Sequence, residues 1–393
     1  MLAYSSTWIK ALEISREAKC WLASRLISGE QYQALKAAHT TPLYTPNIFV
    51  RIGLAIFTAI GVGATAGFSS LILGPYGSTG ISIWLGMVGI GCVVALEYRI
   101  REKSLYCAGI DDALLYSSIA LLFGGIIILL YSVDSGHSSF IHAVIALPIL
   151  VAATVRYADR LTAIAAYGCL LWIISYPMFE GGPLSQAMLP FVLMLVSGVA
   201  YVVSIRFIQR DELSNWRKPL MAVEIASLFS CYLASNYFVV REATENLLMM
   251  DIPEGGNIPY ASLFYALTIG IPIAYVALGL KKRDSILLRV GLIVAALSAL
   301  TFANYFSLGH PEWVLTIAGG ALFAIAALAI SYLKTERNGI THERLLVSQL
   351  ESLNAESILV SQTLGTTPQE PVKDFKGGGG GGDFGGGGAS EKW

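Results

Sequence analysis

The residue best placed to do chemistry in this chain is Glu224, in the stretch KPLMAVEIASLF, about a turn and a half inside an apolar run. An ionisable side chain in hydrocarbon costs about 2.5–3.5 kcal/mol on insertion scales, which makes each such residue a functional candidate. Glu224 reads either as half of a structural ion pair with Arg217, Lys218 or a basic residue of a neighbouring loop, or as a proton-coupled or substrate-binding carboxylate. Arg289 has a similar depth in a later run and can snorkel its guanidinium to the aqueous surface. Asn236 and Asn304 suit hydrogen bonds between helices better than ligand contacts.

Asp111 and Asp112 open another apolar run, where the exposed N–H groups and the dipole of a helix start favour acids. Elsewhere Asp134, His137 and His142 lie close in sequence, with Glu180, His310 and Glu312 in other loops. A D-x2-H-x4-H spacing is a weak metal pattern, and solvated loops with a helix start at His310-Pro311-Glu312 account for these residues. The chain contains no H-E-x-x-H, G-x-S-x-G or Walker-type loop. It therefore reads as non-enzymatic, with no cofactor or metal implied. The five cysteines show no C-x-x-C pairing and read as small hydrophobes.

These residues must be positioned by apolar elements. With 55% hydrophobic and 13% charged residues, the chain has about half the charge of an average soluble domain. A net charge of -1 argues against a nucleic-acid partner, because no basic footprint is present. Residues 48–333 break into ten apolar runs, near 50–73, 79–97, 113–133, 138–155, 161–179, 186–206, 219–240, 260–280, 285–306 and 312–333. Each approaches the ~20 residues needed to cross ~30 Å of hydrocarbon as a helix. None alternates strictly as a barrel strand would. The expected fold is an all-α integral membrane protein of about ten transmembrane helices.

Lys and Arg are retained on the cytoplasmic side of a membrane. Across these ten runs every Lys and Arg except Arg241 falls on one side, which places both termini in the cytoplasm. Residues 1–47 predict a cytoplasmic helical region, with a first helix around 6–26 and a capping-box spacing at Ser28 to Gln31 for a second. Residues 334–376 predict one more cytoplasmic amphipathic helix, capped by Thr341 and striped by Leu346, Leu350 and Leu353, and then a linker. Residues 377–393 are a glycine-rich tail too costly in backbone entropy to fold, with Phe384 and Trp393 as its only large apolar groups. A terminal carboxylate beside an indole suits capture in a receptor groove.

A faint internal echo runs through the spans: ALPILVAATVRYADR (146–160) and GIPIAYVALGLKKRD (270–284) each place a proline within a span and then a basic turn with an Asp. The prolines are expected to kink their helices.

The stretch WLASRLISGEQYQAL (Trp21 to Leu35), followed by closely spaced spans, resembles the amino-terminal region of the bacterial membrane-protein family catalogued as domain of unknown function 2157. That resemblance implies a multi-pass bacterial membrane protein without an assigned activity. The terminus FGGGGASEKW (Phe384 to Trp393) is similar to the glycine-rich ends of bacterial TPM-domain membrane proteins, with Glu391 where glycine is more usual. No TPM domain precedes it, and the similarity carries over no site.

The expectation from sequence is thus a bacterial inner-membrane scaffold or envelope component, seated in the lipid bilayer, which recruits a cytoplasmic protein partner through its ends. The competing expectations are a secondary transporter or lipid translocator using Glu224, and a membrane enzyme built on the external histidines and carboxylates.

Overall fold

A computed structural model describes residues 2–73, 76–133, 139–246, 257–282 and 284–305, with positions 316, 319, 320, 323 and 331. Apart from those five positions, the tenth expected span, the helix expected after 341 and the tail with Phe384 and Trp393 lie outside the described residues.

Among the described residues the architecture is helical throughout. Two short helices come first, α1 (Ser6–Ala23) and α2 (Gly29–Ala38). The expected capping box forms: Ser28 Oγ accepts from Gln31 N at 3.2 Å, and Gln31 Oε1 accepts from Ser28 N at 2.9 Å. Long apolar helices follow: α3 (Ile48–Leu73), α4 (Gly77–Lys103), α5 (Ile110–Val133), α6 (Ser139–Tyr157), α7 (Arg160–Glu180) and α8 (Pro183–Ile208). A 3-10 turn at Asp211–Trp216 leads into α9 (Arg217–Ser235) and α10 (Tyr237–Asn246), and α11 (Ala261–Lys282) and α12 (Ser285–Tyr305) complete the bundle. Eight of these helices are long and apolar enough to cross a membrane, or nine if α9 and α10 count as one bent span.

The apolar side chains are distributed as a bilayer demands. Phe57 is 75% exposed and Leu71 83% exposed on α3, a helix whose most apolar window buries nothing inside the bundle. A water-soluble protein rarely exposes contiguous apolar surface on this scale; hydrocarbon accepts it.

Consecutive helices pack as antiparallel pairs, α4 with α5, α6 with α7, α8 with α9 and α11 with α12. Small residues bring the first pair close: a Cβ on Gly125 would lie 2.9 Å from Ser82 O, and Ser82 Oγ donates to Gly125 O at 2.7 Å. Helix α9 packs against α7, α8, α11 and α12 and is the centre of the second half of the bundle.

The echo seen in sequence has a structural counterpart. Pro148 lies inside α6 and Pro272 inside α11, and the Asp that follows each helix caps the next one. Asp159 accepts from Thr162 N at 2.9 Å to start α7, and Asp284 accepts from Ile286 N at 2.9 Å and Leu287 N at 3.1 Å to start α12.

One end of the bundle collects the basic residues, and tertiary contacts tie its helix ends together. Arg51 on α3 pairs with Asp112 on α5 at 2.7 Å, and Arg156 on α6 pairs with Glu97 on α4 at 2.8 Å. Tyr116 on α5 donates to Asp159 at 2.9 Å, and Trp216 Nε1 donates to Val155 O at 3.0 Å. The N-terminal segment lies across this basic end, where Ala3 N donates to Arg156 O at 2.7 Å and Tyr4 packs edge-on against Tyr106 at 5.0 Å.

Candidate functional site

The polar residues of α9 follow helical spacing. Glu224 and Ser227 are three positions apart, as are Ser227 and Ser230, so each adjacent pair is neighbouring on the helix surface and the three wind round the inner part of α9. Glu224 is 3% exposed and Ser227 fully buried. Ser227 Oγ donates to Glu224 O at 2.7 Å, and Ser230 Oγ donates to Ser227 O at 3.1 Å. Next to them Tyr167 on α7, Ser197 on α8 and Ser230 close a hydroxyl triangle with edges of 3.0, 2.6 and 2.8 Å. Tyr275 on α11 donates to Leu228 O at 3.2 Å. Ser197, Ser227 and Tyr275 border a cavity of about 150 Å3 whose wall also includes Tyr201, Cys231 and Lys282, while Glu224 lies outside that wall.

The Glu224 carboxylate forms no hydrogen bond or ion pair with any described residue. The pairing expected with Lys218 does not occur. Six residues along a helix is a turn of about 240°, so the two side chains leave α9 in different directions. Lys218 instead meets Glu13 of α1 at 3.2 Å and the Tyr106 hydroxyl at 3.2 Å. The ionisable groups that face Glu224 from other elements are Tyr201 on α8 and Asp284 at the start of α12. Asp284 acts as a helix cap, and the Tyr201 hydroxyl is buried with no hydrogen-bond partner among the described residues. Among the described residues no basic side chain pairs with the acid, so a carboxylate here needs a counter-charge, a proton or a small cation beside it.

At the far end of α9, Asn236 breaks the helix. Its backbone is extended (φ -78°, ψ 124°) and α10 leaves at 73° to α9. The expected span of 219–240 therefore ends near Ser235; nineteen helical residues already cover about 28 Å. The Asn236 side chain holds the break, as its reading as an interhelical partner anticipated. Nδ2 donates to Tyr232 Oη at 2.7 Å and to Thr301 Oγ1 at 2.9 Å, while Oδ1 accepts from Val239 N at 3.2 Å and caps α10. Tyr237 N, freed by the break, donates to Thr268 Oγ1 of α11 at 3.0 Å. Every one of these groups would otherwise be an orphan in an apolar interior.

A second polar cluster sits at the basic end, around a cavity of about 240 Å3 bordered by Tyr4, Arg16, Arg51, Asp111, Asp159 and Lys218, among others. Asp111 and Asp112, expected as simple helix caps, do other work. Asp111 Oδ1 accepts from Ala108 N at 2.8 Å in the preceding turn, and Oδ2 accepts from Tyr4 Oη at 3.4 Å. Burial raises the Tyr4 phenol, and the adjacent Asp111 adds to that rise. Burial raises the Cys107 thiol for the same reason, again reinforced by Asp111. With Asp112 paired to Arg51 and Asp111 bonded to the Tyr4 phenol, this cluster ties the N-terminal segment to α5.

The other sequence candidates do not join either cluster. Arg289 is exposed on the second turn of α12. Asn304 falls in the last turn of α12, and its side chain is outside the described residues. So are Asp134, His137, His310 and Glu312, while His142 on α6 lies against Tyr131 at 5.5 Å. Among the described residues no three His, Cys, Asp or Glu side chains are grouped to hold a metal. Sequence reasoning passed over the Ser227, Ser230, Ser197 and Tyr167 hydroxyls and Tyr201; the three-residue spacing from Glu224 was the signal available for the first two.

Comparison of the chain with protein-family models, with curated proteins and with solved structures gave no match.

Proposed function

We propose that the protein is a multi-pass membrane transporter whose coupling group is Glu224. One observation carries this reading: a carboxyl 3% exposed in the most enclosed helix of the bundle, without a basic partner among the described residues. Interior acids of this kind mark proton relays and ion paths in membrane proteins. Discontinuous helices, such as α9 and α10, are a recurrent feature of transporter sites. In this reading a proton or a small cation joins Glu224, the hydroxyls of Tyr201, Ser227 and Ser230 line its surroundings, and loading alters how α9 packs on α8 and α12. The basic end faces the cytoplasm, in keeping with retention of Lys and Arg there, and both termini lie on that side of a bacterial inner membrane.

The test is proton uptake into vesicles reconstituted with the purified protein, with a membrane potential imposed and a pH-sensitive dye inside. Wild-type vesicles should acidify faster than protein-free ones, Glu224→Gln vesicles should not, and Glu224→Asp should retain part of the flux. Uptake by Glu224→Gln equal to wild type would remove Glu224 from the mechanism.

A second reading, the partner-recruiting scaffold, is favoured by α2. This helix packs on α1 and buries none of its residues, and Glu30 and Lys36 are exposed to a soluble protein. Affinity purification of the full chain and of a chain lacking 377–393 should return different partners if the tail also recruits, and an identical set would withdraw the tail from this reading.

A further inference from the structure

Helices α6 and α8 both lean on α7 but share no packed interface with each other. The gap between them is an apolar groove of about 550 Å3, floored by Ala163, Ala166 and Tyr167 of α7 and closed at the side by Val223 of α9. Its volume falls within the range of about 300–1,000 Å3 typical of ligand pockets. Its walls face outward, towards the bilayer: Val151 is 44% exposed and Val199 55% exposed.

The groove has a defined depth. At the basic end it begins at Val155, in the last turn of α6, and Ala163, in the first turn of α7. It ends at Leu170, ten residues into α7, which is about 15 Å along the helix or half of a hydrocarbon core of about 30 Å. It therefore covers one leaflet.

The mouth carries charge. Arg160 lies three residues before Ala163 on α7, and Arg206 three residues after Val203 on α8, which sets both on the turn just beyond the groove at the basic end, Arg160 also bordering the neighbouring cavity of about 240 Å3. Both are exposed, and neither makes an ion pair among the described residues. Trp216 stands at the same level, with its indole bonded to Val155 O at 3.0 Å, as interfacial tryptophans do.

We infer that this groove is a binding site for an anionic phospholipid of the leaflet at the basic end, with an acyl chain between α6 and α8 and the phosphate at Arg160 and Arg206. The complementarity of two exposed cations, unpaired among the described residues, above a chain-deep apolar slot selects this occupant over a neutral lipid. The site stands apart from Glu224 and does not depend on transport.

The experiment uses the full chain in nanodiscs of equal phosphatidylglycerol and phosphatidylcholine, released for native mass spectrometry. Wild type should retain phosphatidylglycerol with about thirtyfold preference, as two basic residues at about 1 kcal/mol each would give. The surface double variant Arg160→Gln/Arg206→Gln should keep a lipid and lose the preference. The groove-filling variant Val151→Trp/Val199→Trp should lose the retained lipid while eluting as wild type does. Retention of the two lipids in bilayer proportion by wild type, or an undiminished lipid in the filled variant, would overturn the assignment.

Discussion

Lys218 Nζ lies 3.2 Å from Glu13 Oε1, which pins the first helix of the chain to the first turn of its central helix. The pair closes over the basic end and takes away the cation nearest in sequence to Glu224. The N-terminal region and the interior acid are thus linked: a lysine engaged with α1 cannot neutralise the carboxyl six residues on.

The Glu13–Lys218 pair is partly solvent-exposed, and such pairs contribute about 0.2–1 kcal/mol. A double-mutant cycle with Glu13→Ala and Lys218→Ala, read by thermal melting, should give a coupling energy in that range that shrinks in high salt. Limited proteolysis within residues 1–47 should speed up in either single variant. A coupling of several kcal/mol would show that the pair is far better desolvated than the structure indicates.

Asn236 is held by Tyr232, Thr301 and Val239, all in the interior, so truncation strands several buried polar groups at once. Asn236→Ala should destabilise the protein by about 2–4 kcal/mol, at about 1–3 kcal/mol for each stranded group with partial relaxation. Thr301→Val removes one partner and should cost less. Thermal unfolding in a single detergent compares them, and a neutral Asn236→Ala would mean that the break is set elsewhere.

Gly109 occupies φ +91°, and a Cβ there would sit 2.0 Å from Arg51 O. Both the left-handed backbone and the close approach of α3 demand glycine. Gly109→Ala should cost about 1–3 kcal/mol, and more if α3 must move, while Gly63→Ala on the open face of α3 should be close to neutral or stabilising. The two melting temperatures test this as a pair.

Cys107 stands outside the spans, where burial and the Asp111 carboxylate both disfavour its thiolate. A raised thiol pKa lowers the thiolate fraction at any given pH, so alkylation of Cys107 should reach half its maximal rate at a higher pH than for a free cysteine. Asp111→Asn removes the larger of the two carboxylate contributions, Asp112 supplying the other, and should move that midpoint back down. Rates followed at the Cys107 peptide by mass spectrometry decide it, and a midpoint unchanged by Asp111→Asn would separate the thiol from the carboxylate.

The apolar runs were plain in the sequence because a bilayer imposes its thickness on any helix that crosses it. Nine of the expected spans fall on described helices, with two boundaries clearly missed: α4 runs on from 97 to Lys103, and Asn236 ends α9 at Ser235. That break left little trace in the sequence: Leu-Ala-Ser-Asn-Tyr-Phe-Val-Val continues an apolar run, and only Thr301 and Thr268, far along the chain, make an extended residue tolerable there. The capping box at Ser28 was legible since its two partners are three residues apart. The roles of Asp111, Asp112 and Lys218 were not, because their partners Tyr4, Arg51 and Glu13 lie 61 to 205 positions away.

Sequence by itself determined the helical class, the spacing of the apolar elements and the gathering of basic residues at alternate helix ends, since these follow from local composition and the hydrocarbon's demand for internally bonded backbone. Only the tertiary structure decided which charges meet. Glu224 has no basic partner among the described residues because of the angle at which side chains leave α9 and because α1 claims Lys218. Neither is a property of any local stretch of chain; both arise when distant helices pack.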